Sequence, residues 1–371
     1  MGHGTLSRLL TRSLLLRYER GRELRIPGSL CDIDKDWLSE VLNEQVAVVQ
    51  VVDEHSGTTG RGVLQLDYVV KTTLPARIFV KLPPTDDVQK AFVVSSGMGR
   101  REVLFYEHLG GEVPIRTPRC YYCAASESGD QYIMLLEHLE DSGCTFRNSS
   151  TMYSLDFIRS VLDAFANVHA KYWQSPRFET DLAWLQPPVQ HAIGVDLVAS
   201  ALEQFGSELP AVFTSMAELY LTETDAVHRL WNDGDLTLVH GDIHDGNLFF
   251  DGSQPGFLDW ALAARAPGMR DVGYFIAGAM KPQDRGEHQR AMLQYYRARL
   301  IQYGAPAPSE AQLWEQYQWH AAYVWIGAAT TLAMGDAWQP IRYARKSLDR
   351  INATLADLDS VDGIRANLSR V

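Results

Sequence analysis

The alternation of apolar and polar positions divides this chain into a β-rich first part and a helical remainder. Val46 to Val52 is a β-branched apolar run, Val63 to Val70 alternates in part, and Arg77 to Leu82 (RIFVKL) is a third candidate strand. Two further strands, Arg119 to Ala125 and Gln131 to Glu137, face each other across Ser126-Glu-Ser-Gly-Asp130, a hairpin signal. Between the third and fourth strands, the second half of Gln89 to Leu109 has helical spacing. Val103, Phe105 and Leu109 form its apolar stripe, flanked by Arg101, Glu102, Tyr106, Glu107 and His108. The pattern predicts a small five-stranded antiparallel sheet with one helix. After Leu139-Glu-Asp-Ser-Gly143 the period becomes helical: Ser154 to Trp173 is amphipathic, and helical segments run on to about Asp233 beyond a Trp- and Pro-rich stretch. Ser309-Glu-Ala-Gln312 reads as a capping box ahead of a segment holding Trp314, Trp319 and Trp325. The expected architecture is α+β in two parts, 1–138 (with 1–25 as a leading segment) and the mainly helical 139–371.

Composition narrows the class of function. A chain of 371 residues can build two cores. A formal net charge of −12 provides no basic field to displace counterions from phosphates, so nucleic acid is not an expected partner. No apolar run approaches a membrane span, and Leu14-Leu15-Leu16 is too short for a signal-peptide core. Gly2 lacks the Ser or Thr that a myristoylation motif places at the position of Leu6. The chain reads as cytoplasmic, with no membrane partner. Of Cys31, Cys120, Cys123 and Cys144, only Cys120-Tyr-Tyr-Cys123 has metal-like spacing, and nothing completes it; buried strand cysteines are expected.

The densest chemistry lies in LVHGDIHDGNLFF, Leu238 to Phe250. A metal-hydrolase reading would take His240, Asp242 and His244 as ligands on alternate residues, but such a site needs further His or carboxylate clusters that the chain does not show. A polar structural turn is the plainest alternative. Phosphoryl transfer explains more. It needs a carboxylate to accept the proton of the acceptor hydroxyl, plus an amide oxygen and a second carboxylate to hold magnesium at the nucleotide. In the pattern HRDxxxxN the base precedes the metal-binding Asn by five residues, the separation of Asp242 and Asn247. Leu248-Phe-Phe250, the turn Asp251 to Gly256 and Phe257-Leu258 would form a hairpin returning Asp259 as the second metal carboxylate. Upstream, Lys81 lies in an apolar strand and Glu102 on the next helix, the order expected of a phosphate-binding lysine and its ion-pair partner. The loop Ser56 to Gly62, with Gly57 and Gly60, could fold over phosphates through backbone N–H groups. A Walker A motif, GxxxxGK[ST], is absent, which disfavours a P-loop enzyme.

With those residues in place, the chain resembles the aminoglycoside phosphotransferase and choline kinase superfamily. Its HGDxxxxN signature followed by a strand and D(W/F) matches His240-Gly241-Asp242…Asn247 and Asp259-Trp260. Within it, VKLPP (Val80 to Pro84), REVLFYEHL, MLLEHLED, VHAKYW and GMRDVGYFI are similar to the ecdysteroid kinase-like and bacterial phosphotransferase branch. The resemblance implies a bilobal protein-kinase-like fold, with a small antiparallel-sheet N-lobe and a larger, mainly helical C-lobe. It implies Asp242 as catalytic base, Asn247 and Asp259 as Mg2+ ligands, and Lys81, held by Glu102, on the α/β-phosphates. Glu137 and Leu139 would read the adenine edge of ATP through main-chain atoms. His240 would brace the loop, and Asp271 would hold it by hydrogen bonds. The expected function is ATP- and Mg2+-dependent phosphorylation of a hydroxyl on a small molecule such as an amino-sugar, macrolide, steroid-like alcohol or hydroxyacyl-CoA. A nucleotide-binding pseudokinase or scaffold, and a metal-dependent hydrolase, are the alternatives. Trp173, Trp184, Trp231, Trp319, Trp325 and Trp338 hint at an apolar acceptor, whereas the acidic charge equally permits a cationic amino-sugar.

Overall fold

The computed structural model describes residues 25–56, 59–147, 153–188, 192–335 and 341–371. The chain divides into two compact units. The first takes the residues up to Phe146 together with 249–252 and 256–262; the second takes the rest.

In the first unit, helix α1 (Lys35–Leu42) starts at Asp34, whose carboxylate accepts from the N–H groups of Asp36 and Trp37. Strands β1 (Val46–Ser56), β2 (Gly60–Tyr68) and β3 (Arg77–Leu82) follow, then helices α2 (Asp87–Ser96) and α3 (Met98–His108), then strands β4 (Cys120–Ala125) and β5 (Tyr132–Glu137). All pairings in the sheet are antiparallel, in the order β1-β2-β3-β5-β4. Leu38, Leu64, Ile78, Val80, Ile133 and Leu135 fill its core, so one face of the sheet is the hydrophobic interior of the unit.

The expected five-stranded sheet is present, but the single expected helix is corrected to three among the described residues. Helix α1 precedes the sheet, and the region expected to form one helix breaks at Gly97, whose φ of 69° ends α2 and begins α3. Only a residue tolerating the left-handed region can take that turn cheaply. Strand β2 also starts earlier than expected. Gly60 pairs with both Ser56 and Leu82, and Gly62 pairs with Val80, so much of the expected loop is ladder. A Cβ at Gly60 would lie 2.7 Å from the Pro83 carbonyl oxygen, and one at Gly62 2.4 Å from Leu30, so both glycines have a packing reason. The cysteine expectation holds only in part. Cys120 and Cys123 lie half-buried in β4, but Cys144 is buried outside any strand and Cys31 is exposed in a short 3-10 turn.

The second unit is built from helices α4 (Leu155–Lys171), α5 (Ala192–Phe205), α6 (Ala211–Thr222) and α7 (Thr224–Asn232), followed by strand β6 (Leu236–Val239). Strands β7 (Leu248–Asp251) and β8 (Gln254–Phe257), most of whose residues belong to the first unit, form a two-stranded sheet, and in the second unit β9 (Ala264–Pro267) pairs antiparallel with β6. Helices α8 (Met269–Ala279), α9 (Pro282–Gln302), α10 (Glu310–His320), α11 (Tyr323–Met334), α12 (Ile341–Asp357) and α13 (Ser360–Asn367) complete it. The Ser309–Gln312 capping box forms at the start of α10 as expected. Pairing with β9 and a hydrogen bond from Thr237 Oγ1 to the His169 carbonyl anchor β6. That strand delivers the chain to His240 from a fully buried Leu238-Val239.

Candidate active site

Within the first unit, three predicted residues converge. Lys81 occupies a buried position of β3 and is only 4% exposed, where an ammonium ion is costly without counter-charge. Its Nζ lies 2.5 Å from Glu102 Oε2 and 3.2 Å from Asp259 Oδ1. Burial alone would lower the Lys81 pKa, but the Asp259 and Glu102 carboxylates outweigh it and raise it, so the side chain stays cationic. One cation shared by two carboxylates leaves Glu102 short of compensation. Burial, opposed by Lys81 and reinforced by Asp259, lifts its carboxyl to about 7.

Packing explains how Glu102 and Asp259 come to Lys81. Gly99, one turn before Glu102, lets α3 settle on β5, since a Cβ there would lie 2.1 Å from the Tyr132 ring. Phe105, one turn after Gly99's neighbour Glu102, stacks on Trp260 with centroids 4.0 Å apart and planes 5° from parallel. Arg101 Nη1 also donates to the Ala261 carbonyl at 3.0 Å. Helix α3 thus carries Glu102 and grips the segment that holds Asp259. The φ of 64° at Asp259 is a left-handed conformation that Asp tolerates better than most residues.

At the end of β5, the Glu137 carboxylate is forked onto Arg116, at 2.9 and 2.7 Å, and accepts from the Arg119 N–H. Burial would raise its pKa, but those donors hold it below the usual carboxylate range. The Glu137 N–H donates to the Arg119 carbonyl, and the Leu139 carbonyl accepts from the N–H groups of Ser142 and Cys144. The Leu139 N–H has no hydrogen-bond partner among the described residues. Gly57 lies outside the described residues, and Gly60 is the first residue of β2.

Within the second unit, the motif after β6 hangs from Asp271 at the start of α8, which is 2% exposed. Its Oδ2 accepts from the His240 N–H at 2.7 Å and its Oδ1 from the Gly241 N–H at 2.8 Å. Gly241 makes the turn with φ 84°. His169 Nε2 lies 3.4 Å from Asp271 Oδ2, and His169 Nδ1 is 2.8 Å from the Tyr296 hydroxyl. Burial would raise the Asp271 carboxyl, but His169, the nearby His240 and the backbone donor of Gly241 keep it below its ordinary value. His240 is buried and its Nδ1 accepts from the Asp242 N–H at 3.3 Å.

Asp242 follows, its side chain 32% exposed. Its Oδ1 accepts from the Tyr274 hydroxyl at 2.7 Å. Asn247, 5% exposed, donates its Nδ2 to the Asp242 carbonyl at 2.8 Å and lies 3.3 Å from Asp242 Oδ2. The five-residue spacing therefore folds the loop back on itself through a short 3-10 turn, Asp245–Asn247. His244 Nδ1 accepts from the Gly246 N–H, and its Nε2 stands 3.7 Å from Asp242 Oδ2. Arg147 Nη1 holds Asp245 at 2.6 Å while its guanidinium lies 4.0 Å over the Tyr153 ring. Both histidines of the metal-hydrolase reading thus spend Nδ1 on backbone donors. Among the described residues no group of three His, Cys, Asp or Glu could hold a metal ion.

Sequence reasoning missed Tyr274, Arg147 and Arg116. Tyr274 had a readable signal, since it lies three residues after Asp271 on one helix and so shares its face. The aromatic hint is corrected: Trp231 and Trp325 are fully buried and Trp319 is 3% exposed, which makes them core. Trp173 and Trp184 are half-buried, and Trp338 lies outside the described residues.

The architecture is a protein-kinase-like one. Two solved structures share it. A candidate aminoglycoside phosphotransferase from Ralstonia eutropha JMP134 is 14% identical, with 88% of this chain and 97% of that chain covered and a TM-score of 0.53. The choline kinase of Cryptosporidium parvum Iowa II is 13% identical, with 96% and 99% covered and a TM-score of 0.50. The family model for the phosphotransferase enzyme family (APH) matches residues 37–320, and the chain belongs to that family. No curated protein matches its sequence. The expected fold and superfamily are both borne out. No helix among the described residues is long and apolar enough to cross a membrane.

Proposed function

We propose that the protein transfers the γ-phosphate of ATP to a hydroxyl group of a small molecule, with Mg2+ as the assisting ion. The carrying observation is the Asp242 carboxylate, partly exposed yet fixed by Tyr274 and by the Asn247 that folds back onto its carbonyl. A carboxylate so held can orient an acceptor hydroxyl and take its proton as the oxygen attacks phosphorus. Lys81, kept cationic by two carboxylates, suits the α- and β-phosphate oxygens. The Leu139 N–H, with no partner among the described residues, suits an acceptor nitrogen of the adenine edge. This narrows the expected hinge contacts, because the Glu137 N–H and the Leu139 carbonyl are already engaged.

The donor set fits Mg2+, which prefers oxygen ligands. Asn247 spends its amide nitrogen on Asp242, which leaves the amide oxygen as its donor to a cation, and Asp259 offers a carboxylate one-third exposed. Asn247 and Asp259 would hold the ion, which would neutralise the charge of the triphosphate. The proteins of known structure named above are described as acting on aminoglycosides and choline, and these head the acceptor candidates. A screen of ADP release from MgATP over amino-sugars, choline, macrolides, steroid alcohols and hydroxyacyl-CoA thioesters tests the reading. We expect acceptor-dependent ADP release with a phosphorylated product. Tight MgATP binding with no turnover on any acceptor would favour a nucleotide-binding scaffold instead.

A further inference from the structure

Asp242 has two oxygens, and the structure treats them differently. Oδ1 accepts a short hydrogen bond, 2.7 Å, from Tyr274. Oδ2 has only long neighbours, Asn247 Nδ2 at 3.3 Å and His244 Nε2 at 3.7 Å. Asp271 and Tyr274 stand three residues apart on α8 and so on one face of it. Asp271 holds the main chain of His240 and Gly241, while Tyr274 holds the side chain two residues on. A single helix therefore fixes both the backbone and the carboxylate of the motif. The Tyr274 ring also leans on Tyr323 at the start of α11, with centroids 6.2 Å apart, so its hydroxyl is delivered by a packed ring.

We propose that Tyr274 is a positioning residue: it pins Asp242 through Oδ1 and so dedicates Oδ2 to the hydroxyl of the acceptor. Without the phenol hydroxyl, the carboxylate can rotate about its Cβ–Cγ bond and share its proton-accepting role between two oxygens. Burial, and then the negative charge of Asp242, push the Tyr274 phenol well above its usual range, so it remains a donor at any working pH. Among the described residues no Lys or Arg pairs with Asp242, and the phenol makes the shortest hydrogen bond to its carboxylate.

This inference rests on the assignment of Asp242 as the base, and the test separates the two. The probe is MgATP with water as the acceptor, read as ADP release and normalised to sites that bind a non-hydrolysable ATP analogue. Tyr274→Phe keeps the ring and removes one hydroxyl. Losing a hydrogen bond to a charged group should lower kcat about tenfold, with the KM for MgATP and the melting temperature unchanged. In an Asp242→Asn background the same change should do nothing further, because the tyrosine acts through that carboxylate. Unchanged kcat in Tyr274→Phe, an equal fall in the Asp242→Asn background, or loss of the folded protein would each overturn the proposal and leave Tyr274 a residue of the fold. If instead Asp242→Asn itself turns over like the parent, the phosphotransfer assignment fails before Tyr274 is reached.

Discussion

Replacing Lys81 by Met removes a cation from a place where two carboxylates depend on it. Glu102 is 1% exposed, and its Oε2 loses the contact at 2.5 Å. A buried carboxylate deprived of its cation does not stay charged; it takes up a proton. In the parent protein the Glu102 carboxyl already stands at about 7 against 4.5 in the unfolded chain. A raised carboxyl contributes stability that is fully present below pH 4.5 and is lost as pH rises through about 7. Since Lys81 lowers that pKa, its removal raises it further, and the variant must hold a proton that the parent releases. The lost charge-assisted hydrogen bond should cost about 2 kcal/mol at pH 6. Above pH 7 each unit adds up to about 1.4 kcal/mol, so the loss at pH 8 should be about 3 kcal/mol, within the range for a broken buried pair. Urea unfolding at pH 6 and pH 8, followed by near-UV circular dichroism, measures both. The double variant Lys81→Met with Glu102→Gln should lose the pH dependence and regain much of the stability. An equal penalty at the two pH values, or a double variant as pH-sensitive as the single one, would refute the picture of one ammonium shared by a buried glutamate and Asp259.

Other consequences follow from the same geometry. Gly99→Ala should destabilise the first unit by about 2 kcal/mol or more in thermal unfolding, because a methyl at 2.1 Å from the Tyr132 ring forces α3 off β5; the displaced Glu102 should also weaken ATP binding in calorimetry. Asp271→Asn leaves one of the His240 and Gly241 N–H groups on a weaker, neutral oxygen and turns an NH2 donor against the other, so ADP release should fall more than tenfold, with MgATP affinity little changed. The stability conferred by the lowered Asp271 carboxyl is present above its ordinary pKa of 3.8 and lost as pH falls through the folded value, so the parent's acid unfolding should be shallower in the variant. Chelating Mg2+ with EDTA should abolish ADP release, and added Mg2+ should restore it; turnover that survives chelation would remove Asn247 and Asp259 from their assigned role.

Much of the site was legible because its chemistry is stringent. A lysine within an apolar strand demands a partner, and a glutamate on the next helix is the nearest solution, so Lys81 and Glu102 could be paired from the sequence. The five-residue step from Asp242 to Asn247 was equally readable, since it sets the closure of one short loop. The approach of Asp259 to Lys81 was harder, because it depends on Phe105 stacking on Trp260, a contact with no local signal. Gly97 went unread as a helix break because glycines inside a helical pattern are common enough to be passed over. Tyr274 lies in a family-like stretch, yet only its three-residue step from Asp271 could have pointed to Asp242. Aromatic abundance misled for a physical reason: Trp231 and Trp325 are large side chains that fill a helical core as readily as they would wall a binding site.

The central claim is that Asp242 is the base of a phosphotransfer reaction. Acceptor-dependent ADP release by Asp242→Ala, compared with the parent at saturating MgATP on the best acceptor from the screen, tests it most directly. The account predicts a loss of at least about a hundredfold with nucleotide binding retained. Near-parental turnover in that variant would contradict it.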